Sequence, residues 1–185
     1  MIVTIGGKPG SGKSTIAAIL CQVLIEQGFD YEVMDVGKLR REAAKDQGMT
    51  LEAYNDWSKQ NPDVGDKAFD DYVAKQAQMK RDLVVIGRMA FHTLPQSVKI
   101  FIDVDERVGA ERIFREKQQD LSRNESEVSS VEEQLQLNRE RIANDRARYK
   151  PLYNIDPYDP KHFTMVIDST NMTPEEVVDR ILEKL

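Results

Sequence analysis

Gly7-Lys8-Pro9-Gly10-Ser11-Gly12-Lys13-Ser14 decides the fold. An apolar run, Met1-Ile2-Val3-Thr4-Ile5-Gly6, stands before it, and after it Ile16, Ile19, Leu20, Val23 and Leu24 recur at helical spacing. The stretch fits G-x-x-x-x-G-K-[ST] in the setting that gives the pattern meaning, a strand followed by a helix. There the glycines let successive backbone N–H groups turn inward onto phosphate oxygens, and the helix N-terminus adds its positive dipole end. On this reading Gly7, Lys8, Pro9, Gly10, Ser11, Gly12, Lys13, Ser14 and Thr15 wrap the phosphates of a nucleoside triphosphate. Lys13 reaches the β- and γ-phosphates and the Ser14 hydroxyl ligates Mg²⁺, so ATP and Mg²⁺ are the expected cofactors. A glycine-rich turn with a chance Lys-Ser is the alternative, and the flanking strand and helix argue against it.

Outward from this loop, short β-type runs alternate with longer helical ones. Strands are expected at 1–6, 31–35, 83–87, 99–103 and 164–168, with a first helix at about 13–27 stopped by Gly28. The alternation predicts an α/β chain of the P-loop NTPase fold: a five-stranded parallel sheet with helices on both faces. The connection at about 37–82 is longer than a crossover needs and is broken at Gly48 and at Asn61-Pro62, so it reads as a helical insertion that covers a substrate. Ser130-Val131-Glu132-Glu133 and Thr173-Pro174-Glu175-Glu176 match the capping box, predicting helices that run to about 150 and 184. The polar stretch 118–129 reads as a mobile loop, and a small lid is expected at about 112–135. With no repeat and no linker, residues 1–185 read as one domain.

Composition narrows the partners. The 185 residues carry 26 Lys and Arg against 32 Asp and Glu, a net charge of −6, which disfavours nucleic acid polymers and anionic membranes as ligands. No apolar run approaches the roughly 18 residues of a membrane span. Cys21 is the single cysteine, so no disulfide framework forms within the chain and a reducing, cytoplasmic setting is expected, with the protein a monomer. His92 and His162 lack metal-ligand spacing.

A phosphate-binding loop does not name the acceptor. Arg141, Asp145 and Arg148 are spaced by four and three, on one face of a predicted helix, where arginine forks and a carboxylate suit a phosphorylated sugar. The same spacing also fits a solvated face laced with ion pairs. Arg88 follows the third predicted strand, at the sheet edge where open α/β folds bind ligands, and Arg41 begins the insertion. Arg112 and Arg115 precede the lid loop and are placed either to swing over a transferring phosphoryl group or to form a basic helix surface. Phosphoryl transfer to a monophosphate needs no general base. It needs two polyanions aligned in line, screened by cations and shielded from water.

Taken together, these residues resemble the cytidylate kinase family of nucleoside monophosphate kinases, in its compact archaeal-like branch. Gly37-Lys38-Leu39-Arg40-Arg41-Glu42 looks like the family segment that holds the monophosphate, Gly87-Arg88 like its Gly-Arg pair, Lys99-Ile100-Phe101-Ile102-Asp103 like its fourth strand, 141–148 like its R-x-x-x-[DE]-x-x-R helix, and Val166-Ile167-Asp168-Ser169-Thr170 like its last strand. The resemblance implies transfer from ATP to CMP or dCMP. It implies that Arg41, Arg88 and Arg148 contact acceptor phosphate, that Arg141 and Asp145 contact ribose, and that Asp71 sits at a matching acidic position. With the loop lysine and the arginines before the lid, the residues expected to act in catalysis are Lys13, Arg88, Arg112, Arg115 and Arg148. Two positions depart from the pattern. Ile86 stands where the family has an acid before Gly-Arg, which leaves Asp103 or water to support Mg²⁺, and Met89 stands where the bacterial form has an aspartate that helps read cytosine. Another acceptor, such as UMP, AMP or a small metabolite, and a non-catalytic ATP-binding regulator stay open beside this reading.

Overall fold

In a computed structural model that describes residues 1–119 and 128–185, the centre of the molecule is a sheet of five parallel strands. In chain order the elements begin β1 (Ile2–Gly7), α1 (Lys13–Glu26), β2 (Glu32–Asp35), α2 (Val36–Asp46), α3 (Leu51–Gln60), α4 (Asp66–Met79), β3 (Leu83–Ile86) and α5 (Ala90–Thr93). They continue with β4 (Val98–Asp103), α6 (Glu106–Gln119), α7 (Val131–Tyr153), a 3-10 turn at Pro160–His162, β5 (Met165–Asp168) and α8 (Pro174–Leu182). The strand order is β2-β3-β1-β4-β5.

The inner strands are covered on both faces, which is why they read as continuous apolar runs rather than alternating ones. Side chains of one parity (Val3, Ile5, Val84, Ile86, Ile100, Ile102) pack with Ile16, Leu20 and Leu24 of α1 and with Val177, Val178 and Ile181 of α8. The opposite parity turns Leu83 and Val85 toward Val73 of α4 and toward Ala90 and Leu94. Thr4 is the polar residue inside β1, and its hydroxyl is satisfied by Ser97 Oγ at 2.9 Å. Because every strand runs the same way, Gly7, Asp35, Ile86, Asp103 and Asp168 all end at one edge, where ligands of open α/β sheets bind.

Each strand lies within a residue or so of its expected bounds, and the insertion divides into α2, α3 and α4 at the anticipated breaks. Two details differ. At Thr173 the reciprocal capping box is complete, whereas at Ser130 only half forms: Ser130 Oγ accepts from Glu133 N, but Glu133 Oε2 accepts from Ser129 N instead of the cap residue. The helix begun there also passes its expected end and carries Pro151 in its last turn. A proline that close to the end removes one late hydrogen bond, and Asn154, left-handed at φ 56°, closes the helix through its N–H to Lys150 O at 2.9 Å. Of the expected loop at 118–129, residues 118 and 119 are helical and 120–127 lie outside the described residues, as does the mobility expected of them.

Candidate active site

The loop from β1 to α1 is shaped by close backbone approach. Gly10 has φ +75°, and a Cβ there would lie 2.1 Å from the carbonyl oxygen of Gly109 in α6, so only glycine lets the loop rest on that helix. Inside the loop Lys13 Nζ folds back, donating to Lys8 O at 2.7 Å, Gly7 O at 3.0 Å and Ser11 Oγ at 3.2 Å. Burial, together with the positive charges of Arg88 and Arg141, pulls its pKa down to about 7 against the weaker pull of Asp35 and Asp145.

Ser14 Oγ donates to Asp35 Oδ2 at 3.0 Å, and the other oxygen of Asp35 caps α2 by accepting from Lys38 N at 2.9 Å. Asp35 lies opposite Ile86 in the register of β2 with β3. A carboxylate thus reaches the loop serine from the neighbouring strand although the Ile86 position is apolar. Asp103 is engaged elsewhere, by Lys8 Nζ at 2.6 Å and Val104 N at 2.7 Å. A serine hydroxyl beside a carboxylate is a hard oxygen pair that fits Mg²⁺, an ion that takes most of its remaining ligands from phosphate and water. Among the described residues no group of three or more His, Cys, Asp or Glu side chains is gathered to cage a metal.

One cleft runs from this loop beneath the insertion, and Lys13, Ser14, Asp35, Arg41, Arg88 and Arg141 all line it. Arg88 is held from behind. Its Nε donates to Tyr158 Oη at 3.0 Å and pairs with Asp145, whose carboxylate also takes Arg148 Nη2 at 3.0 Å and Tyr158 Oη at 2.6 Å. Burial alone would raise the Asp145 pKa, but Arg88, Arg148 and the Tyr158 hydroxyl outweigh it and hold the carboxyl below its ordinary range. A second buried set sits alongside: Arg40 donates to Asp66 at 2.9 Å, Asn55 at 3.0 Å and Ser58 at 3.2 Å, and its guanidinium lies 5.0 Å from the Phe69 ring centre. A further hollow beside the loop is lined by Thr15, Arg112, Ser169 and Met172.

Several of the expected residues lie away from the cleft. Asp145 and Arg148 do share a face with Arg141, but at 2% and 4% exposure they lie behind the cleft wall, where they position Arg88. Of the three, Arg141, a turn earlier, lines the cleft, as does Tyr149 of the same helix. Arg112 donates to Ser169 O at 2.9 Å and Thr170 O at 3.2 Å, which ties it to the loop after β5, and it lines the hollow beside the loop rather than the cleft. Arg115 is exposed and lines neither hollow. Asp71 is exposed as well, because the helical step from Asp70 turns it out of the cleft that Asp66, Phe69, Asp70 and Val73 line. Asp103 pairs with Lys8, and Asp35 is the carboxylate that Ser14 meets.

The sequence reading missed Asp35, Arg40, Asp70, Thr93 and Tyr158. Asp35 carried a signal, an acid at the C-terminal end of a strand in a parallel sheet. Tyr158 carried none, since it lies in irregular chain far from the residues it bonds.

Comparison with known proteins bears on the family and the fold. A 30% identical relative, named cytidylate kinase, is found in Pyrococcus furiosus; the match covers 96% of this chain and 84% of that protein. A protein of Lacinutrix mariniflava named S-adenosylmethionine-dependent nucleotide dehydratase is 26% identical over 98% of this chain, which spans only 35% of that longer protein. Among solved structures, a shikimate kinase from Bacteroides thetaiotaomicron superposes with a TM-score of 0.59 at 13% identity, covering 99% of this chain and 96% of that one, a likeness of fold alone. The model of the cytidylate kinase-like family matches residues 2–171, and the chain belongs to that family.

Proposed function

We propose that this protein transfers the γ-phosphoryl group of ATP to CMP or dCMP, giving ADP and CDP or dCDP. The observation that carries the reading is one cleft lined both by the phosphate-binding loop and by Arg41, Arg88 and Arg141, in a chain of the cytidylate kinase-like family. Backbone N–H groups of the loop receive the β-phosphate, and the hollow between Thr15, Arg112 and Met172 takes the adenine side of ATP. Lys13 leaves its carbonyl partners for the γ-phosphate as the transferring group gains charge. Arg88, fixed by Asp145 and Tyr158, receives the acceptor phosphate together with Arg41 and Arg141, and no group has to remove a proton because the attacking oxygen is already ionised. Mg²⁺ would screen the repulsion between the two phosphate chains, held by Ser14 with Asp35 beside it.

Acceptor-dependent ADP formation from Mg·ATP, with CMP, dCMP, UMP and AMP offered separately, tests the proposal. Highest kcat/KM for CMP or dCMP is expected. A clear preference for UMP or AMP would keep the kinase and replace its acceptor, and no stimulation by any of the four would defeat the proposal.

A further inference from the structure

Resting on the kinase reading above, we propose that Asp70 is the base-reading residue: its carboxylate accepts a hydrogen bond from the exocyclic amino group of the acceptor base and so selects cytosine over uracil. The argument begins with where the base must lie. With the triphosphate in the β1–α1 loop and the acceptor phosphate on Arg88 and its neighbours, the nucleoside extends into the part of the cleft lined by α4 and α5. There Phe69 and Val73 supply apolar surface, while Asp70 and Thr93 supply the polar groups.

Asp70 differs from the other acids of this cleft. Asp35 serves Ser14 and the start of α2, and Asp66 is paired with Arg40. Asp70 instead takes two neutral donors, Thr93 Oγ1 on Oδ1 at 3.0 Å and Tyr153 Oη on Oδ2 at 2.5 Å, with no Arg or Lys bridged to it among the described residues. These two bonds fix the plane of the carboxylate and leave further lone pairs on both oxygens for a ligand donor. Burial raises the Asp70 pKa against the lowering effect of the two hydroxyls, making the carboxylate a better acceptor. Burial and the neighbouring carboxylate push Tyr153 well above its ordinary value, so its phenol stays protonated and donates.

A half-buried carboxylate held by two neutral hydroxyls and no bridging cation among the described residues gains from any further donor that arrives in the cleft. Cytosine offers that donor in its 4-amino group. Uracil presents a carbonyl oxygen at the same place, setting lone pairs against lone pairs. The placement also accounts for Met89, whose side chain is buried and apolar: Thr93 Oγ1 lies within hydrogen-bond distance of both Met89 O, at 3.2 Å, and Asp70, so an acid from α4 stands beside the position where the sequence lacks one.

The test compares wild type with Asp70→Asn, which keeps size and one acceptor oxygen but turns an amide donor toward the base. The readout is the ratio of kcat/KM for CMP to that for UMP, with calorimetric Kd values for both monophosphates and for ATP. A ratio lowered roughly tenfold to a hundredfold, carried mainly in acceptor Kd and KM and with ATP affinity retained, is the expected result. Tyr153→Phe frees the carboxylate without removing it and should lower the ratio less. Because the readout is a ratio, partial loss of folded protein cancels. An unchanged ratio in an Asp70→Asn enzyme that still prefers CMP overturns the assignment of Asp70 while leaving the kinase intact. A wild-type protein that binds Mg·ATP but phosphorylates neither monophosphate overturns the kinase reading, and this inference with it.

Discussion

Replacing Asp145 with alanine is expected to weaken the fold and the acceptor site together. The carboxylate is 2% exposed and is shared by Arg88, Arg148 and Tyr158, so its removal strands two guanidinium groups, that of Arg148 in a site only 4% exposed. Breaking a buried charge pair by deleting one partner costs about 3–5 kcal/mol. Against a total stability of about 5–15 kcal/mol that is a large share. At roughly 2–4 °C per kcal/mol for a chain of this length, Tm should fall by roughly 6–20 °C. Asp145→Asn keeps an acceptor for one arginine and should lose less. The pH dependence has a definite sign. The folded-state pKa is depressed, so the stabilisation is present above the unfolded value of about 4 and is lost as pH falls through the folded one, and wild type and Asp145→Asn should converge in acid. Urea unfolding gives the stability, and the KM for CMP reports whether Arg88 has lost its orientation. A loss under about 1 kcal/mol with unchanged KM would refute the assignment of Asp145 as the strut behind Arg88.

Because the Lys13 pKa is drawn down to about 7 in the free loop, phosphate should restore the charged form, and ATP binding should take up a proton. Calorimetry near pH 8 in buffers of different ionisation enthalpy should find uptake of about one proton, with ATP affinity falling as pH rises; no uptake contradicts the reading. Gly10→Ala must place a Cβ 2.1 Å from Gly109 O at φ +75°, so a loss of about 1–3 kcal/mol by thermal melting is expected, with weakened ATP binding. Wild-type values would mean that α6 yields. Asp35→Asn should raise the Mg²⁺ concentration for half-maximal turnover by about tenfold or more, with weaker Mn²⁺ binding to the ATP complex by electron paramagnetic resonance; unchanged metal affinity would remove Asp35 from the site.

The sheet was legible because its inner strands are buried on both faces and therefore read as unbroken apolar runs, and because the loop at 7–14 fixes the first crossover. The loop side of the cleft was legible because it is built almost wholly from one local segment. The rest of the cleft was read less well. Spacing placed Arg141, Asp145 and Arg148 on one face, but it cannot say how deep that face is buried, and depth turns Asp145 and Arg148 into supports for Arg88. On α4 the choice between Asp70 and Asp71 depends on helix phase, which a single residue reverses. Asp35 was overlooked because an acid near the loop serine was sought along other strands, whereas register sets one opposite Ile86. Tyr158 and Tyr153 act across long sequence separations that leave no periodic trace.

The most direct test is CMP-dependent ADP release from Mg·ATP by the wild-type protein and by Lys13→Ala, measured side by side. Saturable release that requires CMP, reduced about a hundredfold or more in Lys13→Ala, is the expected result. Near-wild-type turnover in Lys13→Ala, or ADP release indifferent to CMP, would contradict phosphoryl transfer at this cleft.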